Sequence, residues 1–377
     1  MRGLSLLIKP ASGNCNLRCS YCFYHDEMGS RKVANRGMMN LETIETIIAK
    51  ALGETEEVCS IGFQGGEPTL IGLDFYKEVI ELEKKYNINK VRIVNTLQTN
   101  GMTIDDEWAR FFNENDFLIG LSIDGCKDVH DNFRLRPSGK GTFNACIKAA
   151  GILRRNKTEF NILSVVTKQL AAHPDQIWNF YKKNDFRYIQ FIPCLDKLDQ
   201  APGSNGFSLN EKTYGKFLCR IFDLWHRDFE QDNYYSVRAF DNYIHMLMGA
   251  PPESCSMSGR CAAYLLIEAD GAVYPCDFYA LDNYKIGDVN TGSFTDMLES
   301  DVAKSFIKES VAVAEECNGC NYYFICRAGC RRDREPLIEG KPPQNRYCGA
   351  YKEFFGHALP RMKAVARSMS QRQARGY

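Results

Sequence analysis

The sequence predicts an α/β protein: a partial (β/α)6 TIM-like barrel, then a small cysteine-rich domain, then a C-terminal helix. Three observations predict it. Short apolar, β-branched runs alternate with stretches of helical period through the first half. From about Pro251 cysteines crowd in, helices shorten and glycines mark turns. Residues 351–369 then return to a helical pattern.

The strand runs lie at 4–8, 59–63, 91–97, 117–123, 160–166 and 188–192, with helical stretches at 41–51, 75–84, 105–112 and 143–153. Six strand–helix units in series imply a parallel sheet with right-handed crossovers. Six fall short of the eight that close a full barrel, hence an open or partial one. In such folds chemistry gathers at the C-terminal ends of the strands. A Gly/Pro/Ser/Asn-rich loop at 201–208 breaks the pattern, and an aromatic-rich helix at 214–229 follows. We divide the chain into 1–234, 235–350 and 351–377, the last ending in a frayed basic tail with Arg372 and Arg375. No internal repeat points to a solenoid.

A chain of 377 residues suits two domains. Lys+Arg and Asp+Glu both total 47, so no surplus positive field favours nucleic acid. No apolar run reaches the ~18 residues of a membrane span. The N-terminal stretch MRGLSLLIKPASGNC lacks the apolar length and small-residue cleavage pattern of a signal peptide, so a cytoplasmic location is expected. The outlier is cysteine, at 16 residues. In a reducing compartment, clustered cysteines more often hold metal than form disulfides.

Cys15, Cys19 and Cys22 form C-x3-C-x2-C in a loop directly after the first strand. Three thiolates can hold three corners of a [4Fe–4S] cube and leave one iron open to chelate an amino acid. A zinc site completed by His25 is the alternative, although zinc sites usually pair two C-x2-C knuckles. With aromatic Tyr21 before the last cysteine, the motif resembles the signature of the radical S-adenosylmethionine (SAM) superfamily. Gln64-Gly65-Gly66-Glu67-Pro68, at the end of the next strand, looks like that superfamily's GGE motif. There Gly66 and Glu67 would meet the methionine amino group. The resemblance further implies that Ser122 meets the ribose and carboxylate region, Arg134 pairs with the methionine carboxylate, and Leu195 meets the adenine. Taken singly, these three read equally as a strand-end turn, a surface charge and a core residue.

A second group comprises Cys255, Cys261, Cys276, then Cys317-x2-Cys320-x5-Cys326-x3-Cys330, and Cys348. Eight thiolates saturate two four-iron clusters, and they serve two four-thiolate zincs equally well on spacing. The pattern, with Gly271 between Cys261 and Cys276, resembles the SPASM domain, which carries two auxiliary [4Fe–4S] clusters. The resemblance implies Cys255, Cys261, Cys276 and Cys330 for one cluster, and Cys317, Cys320, Cys326 and Cys348 for the other. Cys59, Cys126, Cys146, Cys194 and Cys219 read as small core residues.

Asp277 directly follows Cys276 in YPCDFY, where a carboxylate can take a proton as an electron leaves; it reads equally as a turn cap. The runs LSLLIKPAS, CSYCFYH, FQGGEPTL, LQTNG, GLSIDG, FNILSVVT and YPCDFY together resemble the anaerobic sulfatase-maturating enzymes, from about Leu4 to Phe355. That resemblance implies three [4Fe–4S] clusters and SAM as cofactors, a 5′-deoxyadenosyl radical that removes a Cβ hydrogen from a Ser or Cys of a sulfatase segment, and Cα-formylglycine as product. It makes Asp277 the proton acceptor. Tyr24, Gln64 and Gln98 are candidate contacts to an extended sulfatase peptide. An electron donor such as flavodoxin or ferredoxin is the other expected partner, with no nucleic acid and no membrane. The rival readings are another SPASM peptide maturase, such as a thioether-forming one, a zinc-stabilised adaptor and a pure electron carrier.

Overall fold

The computed structural model describes residues 1–198, 200–338 and 340–374. Arg375 of the basic tail and the side chain of Arg372 lie outside that description. All six expected strands form: β1 (Gly3–Ile8), β2 (Val58–Phe63), β3 (Arg92–Thr99), β4 (Leu118–Ser122), β5 (Phe160–Val166) and β6 (Tyr188–Pro193). The expected helices form as well, each longer than its apolar period, and side-chain caps fix the starts of some of them. Asn40 caps Leu41–Glu54 by accepting from the Thr43 amide, and Asp105 caps Asp106–Glu114 through the Glu107 and Trp108 amides. Four short strands complete the set: β7 (Ser236–Val237), β8 (Leu265–Ile267), β9 (Ala272–Tyr274) and β10 (Gly287–Asp288).

The chain folds as two compact units. The first comprises Met1–Ile123, His130–Ile162 and Ala263–Phe306. Its strands run in the order β10-β9-β8-β1-β2-β3-β4. β1, β2, β3 and β4 pair in parallel, and β8 joins the other edge of β1, also in parallel, with Ile8 opposite Ile267. The addition of β8 and its antiparallel partner β9 is invisible to sequence pattern. Each has three residues, all of them buried, so there is no alternation to read. Aromatic rings fill the core beside β2, with Phe63, Trp108 and Phe117 all packed against Tyr76.

The second unit comprises Asp124–Val129, Leu163–Ala262 and the chain from Ile307 onward. Here the helix Glu211–Glu230 packs on the C-terminal helix Cys348–Ala374, with Phe222 and Phe354 in edge-to-face contact. Trp178 and Trp225 are fully buried, and each indole N–H is satisfied, by Asp228 and by the Tyr235 carbonyl. Among the described residues no helix is long and apolar enough to cross a membrane.

Candidate active site

The first unit gathers nine of the sequence-derived candidates at the C-terminal ends of β1, β2 and β3. Cys15, Cys19 and Cys22 lie in the loop that leaves β1, and Cys22 immediately precedes the helix Phe23–Gly29. The turn after β2 is pinned to this loop by two main-chain bonds, Gly66 N–H to Ser12 O and Glu67 N–H to Asn14 O, each 2.8 Å. Glycine is required at both positions. Gly65 adopts φ +127°, open to few other residues, and a Cβ on Gly66 would lie 2.0 Å from the Asn14 carbonyl oxygen.

Glu67 is fully buried, and burial pushes its carboxyl up. It accepts from the Thr69 amide and hydroxyl, the Thr99 hydroxyl and the Asn100 amide, which hold it down. Its side chain therefore ties the β2 turn to the end of β3. Ser122 at the end of β4 accepts from Gln98 at 3.0 Å. Arg134 is buried with its guanidinium 5.5 Å from the centre of the Tyr21 ring, which in turn packs on Phe133. The Arg134 segment is stitched to the cysteine loop by Arg18 N–H to Leu135 O and Ser20 N–H to Phe133 O.

Asp277 lies in the same unit. Phe278 meets Phe23 edge-on at 5.0 Å, which sets the Asp277 turn against the helix that follows Cys22. Burial pushes the Asp277 carboxyl up, while the Tyr264 hydroxyl, the Cys276 thiol and the Lys9 ammonium pull the other way. Tyr264 donates directly to Asp277. Tyr24 is also buried, and burial followed by the charge of Asp277 raises its phenol far above the usual range. Its hydroxyl accepts from Gln64 at 2.7 Å, and Lys9 sits 4.6 Å from its ring centre. Lys9 is held by Glu268, which also binds Arg31. Burial acts against the Glu268 carboxylate, yet these two cations hold it down to about 2.

In the second unit Cys317, Cys320, Cys326 and Cys348 line one pocket with Tyr351 and Phe355. Cys255 and Cys261 are near enough to Cys330 to act on its charge, and burial raises the Cys330 thiol strongly. Cys276 belongs to the first unit. Leu195 follows β6, between Cys194, whose carbonyl accepts from Tyr347, and Asp196, which pairs with Arg346.

The donor set fits iron–sulfur clusters. It is all thiol, and burial pushes Cys15 and Cys326 up to about 11, so thiolates would persist there only against a bound cation. Of the isolated cysteines, Cys59, Cys146 and Cys194 are buried, as a core role requires, while Cys126 and Cys219 are half-buried. Sequence reasoning missed Lys9, Tyr264, Glu268 and Asn100. Only the TNG run after β3 offered a local signal, for Asn100; the others matter through partners that lie far away along the chain or carry no motif.

A family model of the radical SAM superfamily matches residues 10–173, and one described as an iron–sulfur cluster-binding domain, SPASM, matches 255–321. The chain is 47% identical over 373 residues, 99% of this chain and 100% of the other, to a cysteine-type anaerobic sulfatase-maturating enzyme of Clostridium novyi (strain NT). It is 31% identical over 388 residues, 98% of this chain and 93% of the other, to a serine-type enzyme of Bacteroides thetaiotaomicron. A solved structure, native anSMEcpe with bound AdoMet and Cp18Cys peptide, superposes with a TM-score of 0.94 at 42% identity, covering 97% of this chain and 99% of that one.

Proposed function

Because this chain belongs to the anaerobic sulfatase-maturating enzyme family, within the radical SAM superfamily, we propose that it oxidises a Cys or Ser side chain of a sulfatase polypeptide to Cα-formylglycine. Its greater likeness to a cysteine-type relative makes cysteine the first target to test. Bound together at the N-terminal cysteines, SAM and a [4Fe–4S] cluster supply a radical able to abstract hydrogen from carbon. Cys15, Cys19 and Cys22 would hold that cluster. Gly66 leaves room for the GGEP turn to lie against the cysteine loop, Glu67 fixes that turn to β3, and Tyr21, Ser122, Arg134 and Leu195 would orient SAM.

Asp277 would take the thiol or hydroxyl proton of the target residue as its Cβ hydrogen is removed and one electron leaves. From Cys the first product is a thioaldehyde, which water hydrolyses to the aldehyde with release of hydrogen sulfide. Tyr264 and Lys9 favour the ionised, proton-accepting form of Asp277 against the cost of its burial. Tyr24, Gln64 and Gln98 would contact the peptide. The eight remaining cluster cysteines would hold two further [4Fe–4S] groups, in the sets given above, whose full ligation suits electron transfer rather than substrate binding. A flavodoxin- or ferredoxin-type protein would supply electrons, in the cytoplasm.

The observation that supports this reading is the burial of Asp277 on a turn packed against the helix after Cys22, near enough for its charge to act on Tyr24, where a proton acceptor would serve the radical chemistry. The thioether-forming alternative has no comparable support. The test is anaerobic incubation with synthetic sulfatase-motif peptides, one with Cys and one with Ser, read by mass spectrometry. A mass loss matching aldehyde formation is expected. An unchanged peptide alongside SAM cleavage would overturn the substrate assignment.

A further inference from the structure

Asn100 follows β3, is 7% exposed, and is fixed by its backbone and side chain alike. Its N–H donates to Glu67 at 2.8 Å, and its carbonyl accepts from the buried Cys146 thiol at 3.3 Å. Its side-chain oxygen accepts from the Met102 amide at 3.0 Å. That last bond sets the orientation of the amide, because an N–H can donate only to the oxygen. The side-chain NH2 is left aimed at two acceptors, Asn16 Oδ1 at 2.8 Å and the sulfur of Cys15 at 3.7 Å. The Cys15 sulfur also accepts from the Leu17 amide at 3.4 Å.

We propose that Asn100 is a positioning residue that tunes the N-terminal cluster, donating its amide N–H to the Cys15 sulfur and so raising that cluster's reduction potential. The proposal rests on the reading that Cys15 is a cluster ligand. A donor at a ligating sulfur draws electron density from it and stabilises the added electron, and such bonds are among the terms that set cluster potentials. The rigid mounting matters because SAM cleavage begins with a one-electron reduction, and a loosely held donor would give a spread of potentials. Glu67 thus serves the cluster indirectly, by fixing the Asn100 backbone.

The test is an anaerobic redox titration of the reconstituted full-length enzyme, followed by electron paramagnetic resonance, for wild type, Asn100→Asp and Asn100→Ala. Asn100→Ala removes the N–H donor without adding charge, whereas Asn100→Asp keeps the shape and the acceptor for Met102 but adds a carboxylate that lowers the potential in its own right. Asn100→Ala should have a reduced-to-oxidised ratio about tenfold smaller at the wild-type midpoint, a fall of about 59 mV for a one-electron couple, and Asn100→Asp a fall at least as large, with the potentials of the other clusters unmoved. An unshifted midpoint with full iron content overturns the proposal. If neither variant assembles the cluster, wild type labelled with 15N at asparagine side-chain amides decides. A 15N coupling to the reduced cluster supports the contact, and its absence refutes it. A wild-type enzyme whose N-terminal cluster signal does not respond to added SAM would instead sink the underlying reading of Cys15.

Discussion

Gly66→Ala tests the link between local geometry and chemistry most directly. The added Cβ would lie 2.0 Å from Asn14 O, 2.6 Å from Asn14 C and 2.7 Å from Gly13 C, all of them backbone atoms. The shortfall from ordinary contact at 3.4 Å is about 1.4 Å, and no flexible side chain is there to yield. The turn must therefore lift off the cysteine loop, straining or breaking the bonds from Gly66 to Ser12 and from Glu67 to Asn14. Overpacking costs about 1–3 kcal/mol and each lost bond about 1 kcal/mol, so a stability loss of about 3–5 kcal/mol is expected if both bonds break. A displacement of more than 1 Å beside reacting groups is worth roughly a 100-fold loss of turnover. The assay is the rate of 5′-deoxyadenosine and aldehyde formation at saturating peptide, with iron content and thermal unfolding measured on the same samples. Gly53→Ala is the control: it lies in the helix Leu41–Glu54, its Cβ would meet nothing within 4 Å, and it should stabilise by about 0.5–1 kcal/mol with turnover unchanged. Wild-type turnover in Gly66→Ala would refute the argument that close approach of the turn organises the site.

Three further outcomes are expected. Asp277→Asn should load its clusters and still cleave SAM, but lose 10²–10⁴-fold in aldehyde formation, roughly the contribution of a general base; unchanged product formation would remove Asp277 from the proton role. Anaerobic reconstitution should give about twelve iron per chain if three four-iron clusters assemble, whereas four iron and two zinc by elemental analysis would mean structural zinc in the C-terminal sites. Glu83, 6% exposed and raised to about 7 by burial against the opposing Asn95 bond, should make stability depend on pH. Because its folded pKa lies above the unfolded value of 4.5, the protonated form favours folding, and that contribution fades as pH rises through 7. Glu83→Gln should thus be more stable than wild type above pH 7, by at most about 3 kcal/mol, and denaturant titration at pH 5 and pH 8 measures the difference.

Much of the strand and helix pattern was legible in the chain because its signals are local. The alternation of β-branched runs with 3.6-residue periods located all six long strands, and the spacing of Cys15, Cys19 and Cys22 marked a candidate cluster loop without reference to anything distant. Asp277 was singled out by its place beside Cys276, yet its neighbours were not. Tyr24 comes near it because the turn at Asp277–Tyr279 packs on the helix Phe23–Gly29, some 250 residues earlier, Lys9 because β8 pairs with β1, and Tyr264 because β8 and β9 pair with each other. Strands of three residues carry no period, so β8 gave no sign that it would lie along β1.

Residue type and short-range periodicity alone set the candidate donor atoms, their order, and the strand end that carries Cys15, Cys19 and Cys22. Which charges share a buried space is set on folding: Lys9 meets Glu268 across 259 positions because β8 pairs in register with β1. Pairing of that kind is fixed by the packing of the whole unit, and no window of sequence around either residue contains it.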